Sequence, residues 1–202
     1  MDIADSIRVS HVDKSFGGLS VLRDYSLTME NGKRYLLMAP SGTGKTTFLR
    51  ILTGLDNADG GKVEGMPART GMVFQEDRLC EEYDAVCNIM LGMGKGTVEY
   101  VRAEAAKILP EDCLTKPVKE LSGGMRRRVA LLRAVLSDSE LLILDEPFAG
   151  LDEENRARSA EYLLDRLEGR TLLVTTHRED DVELLQGMKV TLVFSESLCY
   201  NA

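Results

Sequence analysis

The sequence lacks several features that define whole classes of protein. Its 202 residues include no tryptophan, two histidines, five prolines and four cysteines. The cysteines, Cys80, Cys87, Cys113 and Cys199, form no C-x-x-C pair and no recognisable metal spacing. We therefore expect free thiols in a reducing cytoplasm rather than disulfides or a metal site.

Long apolar runs and an excess of positive charge are also missing. Pieces such as LLIL and VTLVF are far shorter than a membrane span, and the N-terminal MDIADSIRVS does not resemble a signal peptide. We expect any membrane association to come through another chain. The net charge of −8 gives no general attraction for phosphate backbones, so no nucleic-acid partner is expected.

Strand-like and helix-like segments alternate as in a parallel sheet flanked by helices. Short β-rich runs come first, SIRVSHV, SVLRDYSLTM and KRYLLMA, and Asn31-Gly32 predicts a tight hairpin turn between the last two. From about Gln75 to Leu121 the chain reads as helical, with VEYVRAEAAKIL ending at Pro110. The segments ELLILDEP, EENRARSAEYLLDRLEG, TLLVTTH and KVTLVF then restore the alternation. These patterns predict an α/β fold with a helical insertion.

The stretch LLMAPSGTGKTTFLR is almost a phosphate-binding loop of the pattern G-x-x-x-x-G-K-[ST], but Ala39 replaces its first glycine. Gly42 and Gly44 allow backbone N–H groups to turn toward phosphate oxygens. Lys45 would add a positive charge, and the Thr46 hydroxyl would be a ligand for Mg²⁺. The strand before the loop and the helix after it are the context that such a loop requires.

The effect of Ala39 stays open at this point. If the position needed a positive φ, its Cβ would cost about 1–2 kcal/mol. If φ is negative, as the end of a strand suggests, alanine costs little, and we favour this interpretation. Alanine could still lower nucleotide affinity without abolishing hydrolysis. A chance G-x-G-K-T in a turn is the competing interpretation of the whole stretch.

Two further motifs argue against a chance G-x-G-K-T in a turn. The apolar strand LLIL ends in Asp145 and Glu146, at the edge of a parallel sheet where ligands bind. Asp145 is placed to hold Mg²⁺ through water, and Glu146 to polarise a water that attacks the γ-phosphate. In LSGGM, Ser122 with Gly123 and Gly124 opens the helix MRRRVALLRAVLS, whose N-terminus is a second anion site.

The chain thus has two phosphate-binding sites, the loop and the N-terminus of the helix after LSGGM. This suggests a head-to-tail pair of chains, in which each chain presents its second site to the nucleotide of the other. Directly after LSGGM stand Arg126, Arg127 and Arg128. In an acidic chain we expect these arginines on the exposed face of the helix, not in a nucleic-acid site.

With these motifs in this order, the chain resembles the ATP-binding cassette (ABC) family of ATPases over almost its whole length. The resemblance implies a P-loop NTPase fold of ABC type, a mainly parallel sheet flanked by helices, with a small antiparallel β-subdomain and a helical signature subdomain. It implies one domain, 1–202, with a RecA-like core and β-subdomain at 1–75 and 138–202, and a helical subdomain at about 76–137.

The resemblance also implies roles for individual residues. Phe16 matches the adenine-stacking aromatic, Gln75 the Q-loop glutamine, Asp152 the end of the D-loop and His177 the switch histidine. The implied catalytic residues are Lys45, Gln75, Glu146 and His177, and the implied Mg²⁺ ligands are Thr46, Gln75 and Asp145. The implied nucleotide contacts are Phe16, Val21, Pro40, Ser41, Gly42, Thr43, Gly44, Lys45, Thr46, Thr47, Ser122, Gly123, Gly124 and Asp152.

Within the family, LSGGMRRRVALLRA and DEPFAGLD are most similar to ATPases of bacterial importers for nitrate, sulfonates or taurine. This implies a subunit that uses ATP and Mg²⁺, pairs with a second nucleotide-binding subunit, and works at the inner face of the cell membrane through a permease. A solute-binding protein would be a further partner. CEEYDAVCNIM departs from the usual sequence near the permease groove, so the cargo stays open. A soluble ATPase of a cofactor-assembly or repair complex and a switch that scarcely hydrolyses ATP are the alternatives.

Overall fold

The computed structural model describes residues 6–40 and 42–192, which fold into two sheets and six α-helices. The strands are β1 (Ser6–Phe16), β2 (Leu19–Glu30), β3 (Arg34–Met38), β4 (Gly60–Glu64), β5 (Thr70–Val73), β6 (Leu141–Asp145), β7 (Thr171–Thr176) and β8 (Met188–Thr191). The helices are α1 (Lys45–Leu52), α2 (Ala85–Met90), α3 (Val98–Ala105), α4 (Gly123–Val135), α5 (Glu153–Asp165) and α6 (Asp180–Leu184).

A five-stranded parallel sheet forms the centre of the molecule, in the order β5-β6-β7-β3-β8. The inner strand β6, LLILD, lies between β5 and β7 and is buried along its whole length, as expected for a parallel strand covered on both faces. Leu142 and Leu144 pack into a core shared with α2 to α5 on one face. Leu141 and Ile143 belong to a second core on the opposite face. The period-two alternation of a strand therefore builds two cores from one apolar run.

The second core lies between the parallel sheet, α1 and a three-stranded antiparallel sheet of order β2-β1-β4. Phe48 of α1 is fully buried there. Its ring meets that of Tyr25 of β2 edge to face, with centroids 5.0 Å apart. This packing fixes the start of α1 against the antiparallel sheet, and the expected fold class is confirmed.

The hairpin predicted at Asn31-Gly32 is wrong, although the turn itself is present. Gly32 has a φ of 75°, but β2 pairs with β1, whereas β3 enters the parallel sheet between β7 and β8. The reason is burial, since the YLLM run of β3 is buried on both faces and β2 is only partly covered. The tight hairpin lies instead at Gly17-Gly18, between β1 and β2.

Residues 76–137 hold α2, α3 and α4, two short 3₁₀ turns and no strand. The helix expected in VEYVRAEAAKIL is present as α3, and turns carry the chain on to Pro110. The side chains of Asp84 and Thr97 cap α2 and α3. The boundaries at about 76 and 137 stay a prediction.

None of the described helices has both the length and the apolar character that crossing a bilayer requires. Cys80, Cys87 and Cys113 are free thiols, as expected, while Cys199 lies outside the described residues.

Candidate nucleotide-binding site

The loop between β3 and α1 needs glycine at its second half. Gly42 and Gly44 have φ values of 78° and 90°, a region that favours glycine. A Cβ on Gly44 would lie only 2.7 Å from Cγ1 of Val21. Gly44 is also the N-cap of α1, so its backbone turns directly into the helix N-terminus. Ser41 lies outside the described residues.

Ala39 does not strain this loop. It is not one of the described non-glycine residues with positive φ, which agrees with the interpretation that we favoured. Its side chain is buried and packs into the core between the two sheets. The methyl group therefore replaces a glycine where no left-handed backbone is needed.

Lys45 closes the loop from inside. Its ammonium donates to the carbonyl oxygens of Ala39 at 2.5 Å and Pro40 at 3.1 Å. The Thr43 hydroxyl also donates to Pro40 O, which tightens the turn. A lysine ammonium is a compact charge on a flexible stem, so it can exchange these carbonyls for phosphate oxygens.

A cleft of about 330 Å³ opens beside the loop. It lies at the carboxyl ends of β3, β5 and β6, where ligands of parallel sheets bind. Its lining consists of Val21, Gly42, Thr43, Gly44, Lys45, Thr46, Thr47, Gln75, Asp145 and Glu146. The structure thus brings most of the residues expected around the phosphates and Mg²⁺ into one cleft.

A chain of oxygen groups runs across the floor of this cleft. The Thr46 hydroxyl donates to Oδ2 of Asp145 at 3.0 Å, and the Thr175 hydroxyl donates to Oδ1 of the same carboxylate at 2.5 Å. A hydroxyl and a carboxylate are the hard oxygen donors that Mg²⁺ prefers. Thr46 and Asp145 therefore fit the metal expected here, with Gln75 on the same cleft wall.

Glu146 adopts an unusual backbone conformation. Its φ is 49°, a region that costs a non-glycine residue roughly 1–2 kcal/mol. Its N–H donates to the carbonyl oxygen of Thr175 at 3.1 Å and to the hydroxyl of the same residue at 3.0 Å. His177 places its Nδ1 3.7 Å from Oε1 of Glu146. A carboxylate beside the metal donors and a facing imidazole can orient water and respond to a γ-phosphate.

Other predicted site residues lie outside the cleft. Phe16 is 50% exposed at the end of β1, with the Lys14 ammonium 5.1 Å from its ring centre. Pro40 is exposed at the end of the β3 loop. The Ser122 hydroxyl accepts from the N–H of Met125 at 3.3 Å, which caps the 13-residue helix α4.

Ser122 and Gly123 are exposed, and Gly124 is partly covered beside Leu151. Asp152 is also exposed and caps α5. Hydrogen bonds from the backbone N–H of Asn155, and then from its side-chain amide, hold the pKa of Asp152 below its usual range. Ser122, Gly123, Gly124 and Asp152 therefore do not line the cleft of their own chain.

The expectation for the arginine triplet is wrong at two of its three positions. Arg127 and Arg128 are only 4% and 7% exposed. Only Arg126 remains partly exposed, in an ion pair with Glu81 at 3.3 Å. The buried run that follows, from Val129 to Leu132, shows that α4 is covered nearly all round. The apolar run VALL could have predicted this burial. A helix that is buried on all sides has almost no exposed face on which arginines could lie.

A buried ion pair supports the segment that carries His177. Arg156 of α5 donates to Oδ1 of Asp181 at 2.6 Å and 3.0 Å, and the Thr176 hydroxyl donates to the same carboxylate. Arg156 and Asp181 are both almost completely buried. Sequence reasoning missed this pair, because neither residue belongs to one of the motifs.

Comparisons with known proteins agree with this geometry. A family model described as "ABC transporter" matches residues 22–149. An aliphatic sulfonates import ATP-binding protein of Nocardia farcinica is 36% identical over 193 residues, covering 93% of this chain and 78% of that protein. A taurine import ATP-binding protein of Pseudomonas aeruginosa is 37% identical over 182 residues, covering 82% of this chain and 69% of that protein.

A sulfate/thiosulfate import ATP-binding protein of Neisseria meningitidis is 35% identical over 202 residues. The alignment covers 89% of this chain but 57% of that relative, so the chain spans little more than half of its length. Among solved structures, the dimeric structure of MJ0796, a bacterial ABC transporter cassette, matches with a TM-score of 0.77 and 25% identity. That match covers 92% of this chain and 94% of the other.

Proposed function

This chain belongs to the ABC transporter family of ATP-binding proteins, and from that premise we propose that it is the ATP-binding and ATP-hydrolysing subunit of an importer. The observation that carries the proposal is the single cleft that joins the phosphate loop, the Thr46–Asp145 pair and Glu146. These are the parts that phosphoryl transfer to water needs in one place.

In the proposed mechanism the loop binds the β- and γ-phosphates. The backbone N–H groups between Gly42 and Thr47 point at the phosphate oxygens together with the positive end of α1. Lys45 leaves the carbonyls of Ala39 and Pro40 and binds phosphate instead. Mg²⁺, where bound, would neutralise charge that builds up on the β- and γ-oxygens. Thr46, Asp145 and Gln75 would hold it.

Glu146 acts on the attacking water. Its carboxylate accepts a hydrogen bond from that water and aligns it with the γ-phosphate. His177, across from Glu146, contacts the γ-phosphate and so distinguishes ATP from ADP. The Thr175 hydroxyl donates to the Asp145 carboxylate and accepts from the backbone N–H of Glu146, so it ties the metal-binding carboxylate to the backbone of the residue that acts on water.

Two copies complete each other's sites. The start of α4 is exposed and does not line the cleft of its own chain, and α4 is long enough to present a usable dipole. In a head-to-tail pair, Ser122, Gly123 and Gly124 of one copy contact the γ-phosphate held by the other, and Asp152 lies at the same interface. The exposed ring of Phe16 stacks on adenine. The dimeric state of the MJ0796 cassette supports this arrangement.

The proposed partners are the permease subunits of an importer, with a solute-binding protein as a further component. Several relatives are import ATP-binding proteins by name, which favours import over export. The surface around Gln75 would pass the motion of closure to the permease, and the chain would lie at the inner face of the membrane through that contact.

The test is to tag the chain in its native cell, solubilise the membranes gently and identify what co-purifies. A multi-span permease in the complex is the expected result. Exclusively soluble partners, with no chain in the membrane fraction, would contradict the importer role and favour an assembly or repair complex.

A further inference from the structure

The Arg127 side chain crosses from α4 to both segments that carry the proposed catalytic groups of its own chain. We propose that Arg127 is a positioning residue that holds the backbone of Glu146 and Gln75 at fixed positions relative to helix α4. The inference rests on the proposed function, since it assigns a role within that same ATPase site.

One arm of the guanidinium holds the segment after β5. Nη1 of Arg127 donates to the carbonyl oxygens of Phe74 at 2.6 Å and Gln75 at 3.3 Å, and to Oδ1 of Asp77 at 3.0 Å. Asp77 supplies the neutralising charge for an arginine whose side chain is 5% exposed. The backbone on both sides of the Gln75 side chain is therefore fixed to α4.

The other arm holds the end of β6. Nη2 of Arg127 donates to the carbonyl oxygen of Asp145 and, at 2.8 Å, to that of Glu146. Glu146 is the residue with φ of 49°, and Thr175 already binds its N–H from the opposite side. A left-handed glutamate persists only when its surroundings fix it, and here Arg127 and Thr175 hold its two peptide groups. Only Nε of Arg127 has no hydrogen-bond partner among the described residues.

The chemistry explains why the position needs arginine. A planar guanidinium offers donors in a fixed fork and can serve two chain segments at once, whereas an ammonium is a single point charge. Removing the fork would leave carbonyl groups of both segments without their donor in a buried site.

The position of Arg127 on α4 also connects the two segments to the start of this helix. Ser122 caps this helix at the end that the proposed partner's nucleotide would contact, and Arg127 lies little more than one turn further on. A movement of α4 caused by the partner's nucleotide would therefore reach Glu146 and Gln75 directly. Arg127 would in this way link the two composite sites of the pair.

The experiment compares Arg127→Lys and Arg127→Met with Arg126→Met, the same change at the preceding, partly exposed arginine. We expect kcat for ATP to fall by about 10- to 100-fold in both Arg127 variants. The KM for ATP should stay within about threefold, since the phosphate loop is untouched. Arg126→Met should keep the kcat of the unsubstituted chain.

Two further measurements separate positioning from a general loss of structure. Free guanidinium at millimolar concentration should restore part of the kcat of an Arg127→Ala variant, and an equal concentration of potassium should not. Without nucleotide, hydrogen exchange in Arg127→Met should accelerate at residues 74–78 and 145–149 and stay unchanged in α3.

An Arg127→Met chain with unchanged kcat, or unchanged exchange in those two segments, would overturn the proposal. So would a loss spread evenly over the whole chain with no response to guanidinium, because that is the behaviour of a residue needed only for folding. If the unsubstituted chain hydrolyses no ATP, the proposed function fails by itself, while the exchange result still decides whether Arg127 holds the two segments.

Discussion

At position 39 a methyl group stands where the phosphate-loop pattern has its first glycine. The structure places this methyl group in the core behind the loop, on a backbone that needs no left-handed φ. Among the described residues of the loop, those that line the cleft begin at Gly42. Ala39 therefore belongs to the packing between the two sheets, and the loop places its proposed phosphate-binding groups along the cleft without a glycine at this position.

We predict that Ala39→Gly leaves nucleotide affinity nearly unchanged and weakens the fold. The loss of a buried methyl and the gain in backbone freedom should lower the free energy of unfolding by about 1–2 kcal/mol. Titration with a fluorescent ATP analogue and urea unfolding would measure both effects. A tenfold gain in affinity would show instead that alanine impairs the loop.

Gly44 is predicted to behave in the opposite way. At Gly44→Ala the new Cβ would combine a φ of 90° with a contact of 2.7 Å to the Val21 side chain, so ATP affinity should fall about tenfold or more. Adding Val21→Ala should remove the contact, so Gly44→Ala should lower ATP affinity less in a Val21→Ala chain than in the unsubstituted chain. Gly54→Ala is the control, because Gly54 has a φ of 70° and open space around it at the other end of α1.

If Gly44→Ala and Gly54→Ala change ATP affinity equally, the close approach of Val21 is not what requires glycine at position 44. Equilibrium titrations of both variants at one temperature make this comparison.

At the level of elements, the packing of β2 against α1 buries the phenol of Tyr25, whose ionisation makes stability depend on pH. Burial raises the pKa of Tyr25 to about 12, and its hydroxyl has no hydrogen-bond partner among the described residues. In the unfolded chain a tyrosine ionises near pH 10. The folded state thus favours the neutral phenol, and this contribution to stability is present below pH 10 and is lost as the pH rises toward 12.

We predict that between about pH 10 and pH 12 the free energy of unfolding falls less in Tyr25→Phe than in the unsubstituted chain. At neutral pH the variant should lie within about 1 kcal/mol of the original, because it removes a buried hydroxyl that makes no bond. Thermal unfolding of the variant across this range is the measurement. Tyr83→Phe, at an exposed tyrosine, is the matched control and should keep the steep alkaline loss. Equal curves for the two variants would contradict the assignment to Tyr25.

The elements also show what sequence patterns can and cannot predict. Capping at Ser122 and the strand LLIL depend on residues that are close in sequence, and both were predictable. The pairing of β3 depends on which sheet has room for a strand buried on both faces. A turn signal such as Asn31-Gly32 does not contain that information, because it fixes a local bend and not the partner strand.

The same limit applies to the site. The motifs predicted the groups that line the cleft, since glycine, lysine and carboxylate positions follow from the chemistry of phosphate and Mg²⁺. They did not predict Arg127 or the Arg156–Asp181 pair, because the partners of these arginines lie 18 to 53 residues away in sequence. Spacing along the chain carries no signal for such contacts, which only the folded structure brings together.

At the scale of the whole molecule, the two groups of residues that we propose for one nucleotide site do not share a cleft within a single chain. The cleft lies at the carboxyl ends of the parallel strands, while the N-terminus of α4 and Asp152 are exposed elsewhere on the same chain. This separation is the physical reason for expecting two copies, each of which completes the site of the other. Closure would then depend on ATP, and hydrolysis would reverse it.

The most direct test is the mass of Glu146→Gln in solution by light scattering. The variant keeps the shape of the cleft but lacks the carboxylate that acts on water, so ATP should remain bound and hold the pair closed. Adding Ser122→Arg, which places a bulky side chain at the exposed start of α4, is the control and should prevent pairing.

With saturating ATP and Mg²⁺ we predict about twice the 22.3 kDa mass of one chain, and with ADP the mass of one chain. A variant that stays monomeric in saturating ATP, or that still pairs after Ser122→Arg, would contradict the account of a nucleotide site shared between two copies.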